Sequence, residues 1–575
     1  MKKVYTVIPV ILLVAVISFI GFSQKTENRI TFNKEAVDAN RDIMKVSNVI
    51  EQKKLTYRFD KLPLFNTISN YTGKTYAEYV NDASFLTLNK NTQAEILSGS
   101  KENITLQIPY INNTFIEVEL TKAKVTEDDM KVYGLSGSGK TQVTYIPGVH
   151  YRGIIKNKKN SIATLSVFNE NVMGIFSDET GNYVLGSIKN DKNQFTNDYI
   201  LYNDVNLKIK NTFKCGLDDN EDRFSKAMGE VKEQINDYHS KNLTANVPIR
   251  VYFEGDHDMY VRAGNNLTTL SNFISAFFNS VATIYQNEGI PTTISNIAGW
   301  TSTDPYANLT DSYEILISFG ARNRDSFTGN LGHLLSTGHG GQLGGIAWIR
   351  TLCTQYNASD SSGRYAFSNI DPDYNNFPTY SWTVNVVTHE MGHNVGSYHT
   401  HACHWPINGQ IRGIDTCVIT EENSICASTS RARNGTIMSY CHLNGSINLA
   451  AGFGPLPGDT ILAAYNTAGC FTQLVNSSER PAVFDLVQNF PNPYNPATTI
   501  KFNLPASARV NLKVYDMSGK EVANLISGDN LTFGSYNYFF DSQAYNLTSG
   551  VYFYKIVAEG ANSIFTDVKK MVLVK

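Results

Sequence analysis

The stretch HEMGHNVGSYH, residues 389–399, constrains the fold of this chain more than any other. The preceding SWTVNVV continues a helical pattern, so His389 and His393 stand four positions apart on one helix face. Two imidazoles placed in this way can share one tetrahedral Zn²⁺, at about 2.0–2.1 Å each. Glu390 follows directly. It would lie near the metal without being a ligand, where it could take a proton from a metal-bound water. Gly396 tolerates left-handed backbone, so the helix can stop there and the chain can double back. His399 then approaches the same metal from below the helix. The pattern is H-E-x-x-H-x-x-G-x-x-H, with an open fourth metal position. His401 and His404 fit neither the helical spacing nor the turn. They read as solvent-facing or rim residues of a cysteine-pinned loop, and His442 beside Cys441 reads the same way.

The rest of the chain is too long for one such domain. Its 575 residues correspond to about three or four folded units. The formal net charge of −3 argues against a nucleic-acid binder. At the N-terminus, Lys2 and Lys3 precede an uncharged run from Val4 to Phe22, and Gly21 and Ser23 suit a cleavage site. This reads as a signal peptide over residues 1–23. The run is also long enough for a retained membrane anchor. Either reading takes the chain out of the cytoplasm. Six of the seven cysteines, Cys353, Cys403, Cys417, Cys426, Cys441 and Cys470, cluster together, and in an exported chain they read as disulfides. Six cysteines allow fifteen pairings, among which sequence does not choose. Cys215 stands apart from them.

Residues 24–246 are polar and strand-prone. ITLQIPYI, TFIEVEL, KVYGL, QVTYI and SIATLSVF are short apolar or alternating runs broken by turn residues. Within them, GLSGSGKT (134–141) matches a phosphate-binding loop letter for letter. That loop requires a helix to start at its Lys-Thr. Here QVTYIPG follows, so a Gly/Ser turn between two strands is expected, and no nucleotide partner. Residues 216–247 are charged and read as a linker. From IRVYF (249–253) onward the pattern becomes α/β: a long amphipathic helix after Asn265, then YEILISF (313–319) and GGIAWI (344–349) as strands, then the histidine helix. After Cys470 a polar linker covers 476–483. The last segment, 484–575, has recurrent short strands and reads as a small immunoglobulin-like β-sandwich.

Further along comes GTIMSYCH (435–442). Together with the long histidine motif, it makes residues 247–475 resemble a metzincin metallopeptidase. The resemblance implies a zinc site with His389, His393 and His399 as ligands, and Met438 in a turn beneath it. Tyr440 is similar to the tyrosine that astacin-like, serralysin-like and pappalysin-like members place near the metal, as an extra ligand or an oxyanion donor; a packed tyrosine is the alternative. The reprolysin (adamalysin-like) group matches best, through HNxG inside the motif, the cysteine-bearing segment before the Met-turn, and Gly344–Ala347. In that group such a strand pairs with extended substrate. The chain departs from animal reprolysins in Thr400, where Asp is usual, and in Tyr440. Several metzincin groups keep a prodomain thiolate on the metal until processing. Cys215, in NTFKCGLDD, is similar in placement; a cysteine without a role, or one disulfide-bonded elsewhere, is the alternative. The pieces NFPNPYNPATTI, VYDMSGKEV, SGVYFY and KKMVLVK, in that order, resemble the C-terminal sorting domain of type IX secretion in Bacteroidetes-type bacteria.

The expected protein is therefore multidomain, with a β-rich propeptide, an α/β metzincin-like zinc protease domain and a C-terminal sandwich. It would be a latent, secreted or surface-attached zinc endopeptidase, exported by a Sec signal and the type IX machinery. Its partners would be protein or peptide substrates. A structural Ca²⁺ is neither required nor excluded. The competing reading is a surface adhesion protein with a non-catalytic metzincin-like domain.

Overall fold

A computed structural model describes residues 41–208, 215–216, 247–339, 343–371, 373–374, 377–408, 410–418, 434–468, 481, 483–495, 497–531, 533–542, 545, 547–560 and 564–574. The signal segment 1–23, the connecting stretch 217–246, most of the 476–483 linker, and Cys426 and Cys470 lie outside these residues.

The N-terminal region is β-rich. After a helix, Val46–Thr56, it builds a ten-stranded sheet. Seven of its strands, from Asn103–Tyr110 to Phe195–Asn203, lie side by side as an antiparallel meander. Successive side chains in a strand point to opposite faces. Ile162, Ile175 and Val184 thus enter the core shared with the following domain. Ala163, Phe176 and Leu185 enter a second core on the other face. Burial on both faces explains why SIATLSVF reads as one nearly continuous apolar run.

One hairpin leaves this sheet. Thr126–Ser136 and Gly139–Val143 pair antiparallel with each other, and Gly137 and Ser138 make the turn between them. This is the strand–turn–strand that the residues after GLSGSGKT call for, with Lys140 inside a strand and no helix beginning there. The hairpin joins the sheet of the next domain. That sheet runs, from one edge to the other, Gly345–Ala347, Tyr365–Asn369, Leu331–Ser336, Ile249–Gly255, Thr292–Trp300, Thr126–Ser136, Gly139–Val143. Its strands are parallel except at the two edges, where Gly345–Ala347 and Gly139–Val143 run antiparallel.

Two long helices, Leu267–Asn287 and Ser381–Asn394, contact each other and carry the domain's core with this sheet. The expected strand at YEILISF is instead a helix, Ser312–Asn323. Asp311 caps it by accepting from the backbone N–H of Tyr313 and Glu314. Ser312, Ile315, Leu316, Phe319 and Asn323 are buried at helical spacing. A seven-residue apolar run does not separate the two periods.

Cys417 and Cys441 form a disulfide, and Cys353 and Cys403 are also disulfide-bonded. The C-terminal domain has two sheets over one core. One holds Asp485–Leu486, Ala497–Leu504 and Gly534–Asp541; the other holds Ala508–Tyr515, Glu521–Leu531, Gly550–Gly560 and Ile564–Leu573. Val510, Leu512 and Val514 point inward, alternating with more exposed neighbours as a half-buried strand requires.

Candidate metal centre

The helix Ser381–Asn394 is buried on nearly every side, which fixes its rotation. Tyr285 of the other long helix donates to the carbonyl of Thr388 at 3.2 Å. Asn394 at the helix end donates to the carbonyls of Trp348 and Tyr365, both at 2.9 Å. Beyond it, Gly396 takes a φ of +112°, a conformation side-chain-bearing residues rarely adopt. The chain reverses there and returns His399 to the helix.

The result is a convergence of ring nitrogens. Nε2 of His393 lies 3.1 Å from Nε2 of His389 and 3.2 Å from Nε2 of His399. Nδ1 of His389 donates to the carbonyl of Ile437, and Nδ1 of His393 to that of Ser397, each at 2.8 Å. These bonds fix the tautomers, so the Nε2 lone pairs of His389 and His393 face inward. Burial, reinforced by the neighbouring imidazoles, holds all three rings well below the usual histidine range and therefore neutral. Neutral, inward-facing imidazoles at this spacing suit a cation of the Zn²⁺ kind.

Glu390 is fully buried beside them. Burial pushes its carboxyl well above the usual carboxylate range, opposed by a hydrogen bond from the Cys215 thiol. Its Oε1 has no hydrogen-bond partner among the described residues. Gly345 faces it, and a Cβ there would collide with Oε1 and Cγ of Glu390. The edge strand can pass this close to the carboxyl only as glycine.

Cys215 enters the same place from the N-terminal side. Its Sγ lies 3.6 Å from Oε2 of Glu390 and 3.8 Å from Nε2 of His393. The ligand atoms of Cys215, His389, His393 and His399 all lie within 4.8 Å of one another. The next residue, Gly216, donates to the carbonyl of Gly345 at 2.8 Å. Gly216 therefore lies against the strand Gly345–Ala347. Tyr440 donates its hydroxyl to the carbonyl of Cys215 at 3.1 Å.

Met438 is buried beneath the helix, and its carbonyl accepts from the backbone N–H of Thr400 at 3.0 Å. A Cβ at Gly392 would sit 2.7 Å from Sδ of Met438 and 2.7 Å from the Phe453 ring. Gly392→Ala is accordingly expected to cost about 1–3 kcal/mol by overpacking, read as a lower unfolding midpoint of the purified chain.

His401 is not solvent-facing. It is buried and stacked on His399, with centroids 5.0 Å apart, and its ring also lies 4.7 Å from that of Tyr440. His404 packs on Tyr398, and His442 on Trp382. Sequence reasoning missed Ser397 and Ile437, which contribute backbone carbonyls, and Trp405, whose indole N–H donates to the carbonyl of His399 at 2.8 Å. Only the general requirement that ligand imidazoles be oriented by outer partners pointed to such groups.

Residues 246–448 match the reprolysin-type domain described as metallo-peptidase family M12, and residues 488–573 match a secretion system C-terminal sorting domain. Among solved structures, metalloproteinase-II from Bacteroides fragilis is similar at 12% identity and a TM-score of 0.32, covering 58% of this chain and 94% of its own. Wild-type OgpA from Akkermansia muciniphila is similar at 12% identity and a TM-score of 0.19, covering 57% of this chain and 93% of its own. A catalytically inactive OgpA in complex with an O-glycopeptide substrate gives 12% identity, a TM-score of 0.19 and coverage of 58% and 94%. The chain therefore carries a metallopeptidase domain of the reprolysin type, family M12, over residues 246–448, followed by a C-terminal sorting domain that directs it by type IX secretion to the cell surface or the extracellular space.

Proposed function

We propose that the protein is a zinc-dependent endopeptidase made as a latent precursor, with residues 24–246 as its propeptide. The observation that carries this reading is the meeting of three neutral imidazoles, the Glu390 carboxyl and the Cys215 thiol at one buried point. His389, His393 and His399 would hold the zinc. When bound, zinc supplies Lewis acidity that makes a water more acidic and a carbonyl more electrophilic.

The chain's own residues do the rest. With Cys215 withdrawn, water admitted and a cation beside it, Glu390 would be ionised, take a proton from the attacking water and return it to the leaving nitrogen. The strand Gly345–Ala347 offers backbone groups to an extended substrate, as Gly345 does to Gly216 in the precursor. Tyr440 stands beside the same site and can donate to developing negative charge once Cys215 leaves. Met438 supports the helix from below. In the precursor, Cys215 lies where it can occupy the open metal position, and Gly216 bonds the edge strand where substrate would.

Two outcomes follow. Digesting casein with the processed domain should release internal peptides; release of terminal residues alone would contradict the endopeptidase reading. Cys215→Ala in the full chain should raise precursor activity on a short peptide above that of the parent. A variant precursor as inert as the parent would contradict the thiol's part in latency.

A further inference from the structure

The hairpin formed by Thr126–Ser136 and Gly139–Val143 belongs by chain order to the N-terminal region, yet it is built into the metallopeptidase sheet. Thr126–Ser136 runs parallel to Thr292–Trp300 in register from Asn296 opposite Lys131 to Trp300 opposite Leu135. The pairing extends past both ends. The backbone N–H of Ile294 donates to Val125 at 2.9 Å and that of Thr301 to Leu135 at 2.8 Å. Side chains lock the same seam. Asn296 accepts from the backbone N–H of Lys131 at 2.8 Å. Arg250 makes a bidentate pair with Glu127 at 2.5 and 2.6 Å. Without the hairpin, Thr292–Trp300 would be an edge with a row of unmet backbone groups.

The second contact is with the helix Leu267–Asn287. The face it turns to the N-terminal sheet carries polar side chains, and they are matched. Asn279 accepts from Nε of the buried Arg152 at 2.9 Å and donates to the carbonyl of Tyr151 at 3.0 Å. Ser280 bonds Thr164 at 2.7 Å, and Asn272 accepts from the Tyr145 hydroxyl at 3.0 Å. Such a face would also be tolerated in water, unlike a core face of Leu and Phe. Aromatic contacts complete the seam: Tyr202 and Tyr76 pack on Phe377, with centroids 5.5 and 5.1 Å apart. Buried apolar residues of both units meet along this seam, and apolar anchors combined with satisfied polar groups are also the make-up of an interface between partners.

We propose that residues 41–208 are a non-covalent partner of the metallopeptidase domain, held by strand addition through this hairpin. Cutting the connection between Gly216 and Val247 therefore does not release them; activation requires their later destruction or displacement. This rests on the latency reading above, and it gives GLSGSGKT a place as the tip of the docking hairpin. A cut in 217–246 also leaves Cys215 on the N-terminal piece, so the piece that stays docked is the one that covers the site.

The test uses the full chain carrying Glu390→Gln, with a site-specific protease sequence inserted after Asn220. After complete cutting, the two pieces should elute together in gel filtration at micromolar concentration and physiological salt. Separation into two species would overturn the proposal. Glu127→Arg faces Arg250 with a like charge and should raise the Kd of the cut pair at least tenfold. An unchanged Kd would remove the hairpin from the docking. The same cut made with native Glu390 should leave activity at the precursor level until the N-terminal piece is digested; full activity on cutting alone would overturn the activation step. Elution does not depend on catalysis. Co-elution followed by no activity after digestion of the N-terminal piece would therefore support docking and count against the peptidase reading alone.

Discussion

Replacing Glu390 by Gln in the processed domain is expected to lower kcat on casein-derived peptides by about 10²–10⁴-fold, the range for loss of a general acid–base group. The substitution keeps the shape of the side chain and removes its ability to carry a proton. The space around it is set by Gly345, which admits a Gln as readily as a Glu. KM should change little, because the carboxyl acts on the water and the leaving nitrogen rather than on the bound peptide. Zinc content should also be unchanged, since Glu390 is not among the converging donors. A Glu390→Gln enzyme with parental kcat would remove this carboxyl from the chemistry. An enzyme that lost zinc with activity would make it a ligand or a support instead.

Replacing His393 by Ala is expected to take bound zinc from about one per chain to a small fraction, and peptide hydrolysis to background. His393 is the middle member of the cluster, with its Nε2 within 3.2 Å of both other Nε2 atoms. The cut also removes the bond from its Nδ1 to Ser397, which helps to hold the turn. Metal analysis therefore has to accompany the activity assay and a melting curve. A stable variant that retains full zinc would contradict the three-histidine set. His401→Ala provides the contrast. Its ring backs His399 but is not among the converging ligand atoms, so zinc should be retained.

The centre was legible in the sequence because it is local. His389, His393, Gly396 and His399 fall within one helix and one turn, so the 3.6-residue period and a single positive φ suffice to bring three rings together. What was not legible depends on partners far away in the chain. His401 looked like a rim residue because its burial depends on Tyr440, far along the chain, and not on nearby His399 alone. The hairpin at 126–143 could be read as two strands and a turn, but not as part of another domain's sheet. A strand's own alternation shows which face is buried, not which strand lies beside it. YEILISF was misread for the opposite reason. Its apolar residues suit both periods, and the deciding features were the Asp311 cap and the burial of Asn323 beyond the run.

The central claim is that one zinc ion, held by His389, His393 and His399, underlies peptide-bond cleavage by this chain. The most direct measurement is casein hydrolysis by the processed domain before and after dialysis against a strong chelator, with zinc measured in the same samples. The account predicts that activity falls to background as zinc is removed and returns when about one equivalent of Zn²⁺ is restored. Hydrolysis that continues unchanged in the zinc-free protein would contradict it.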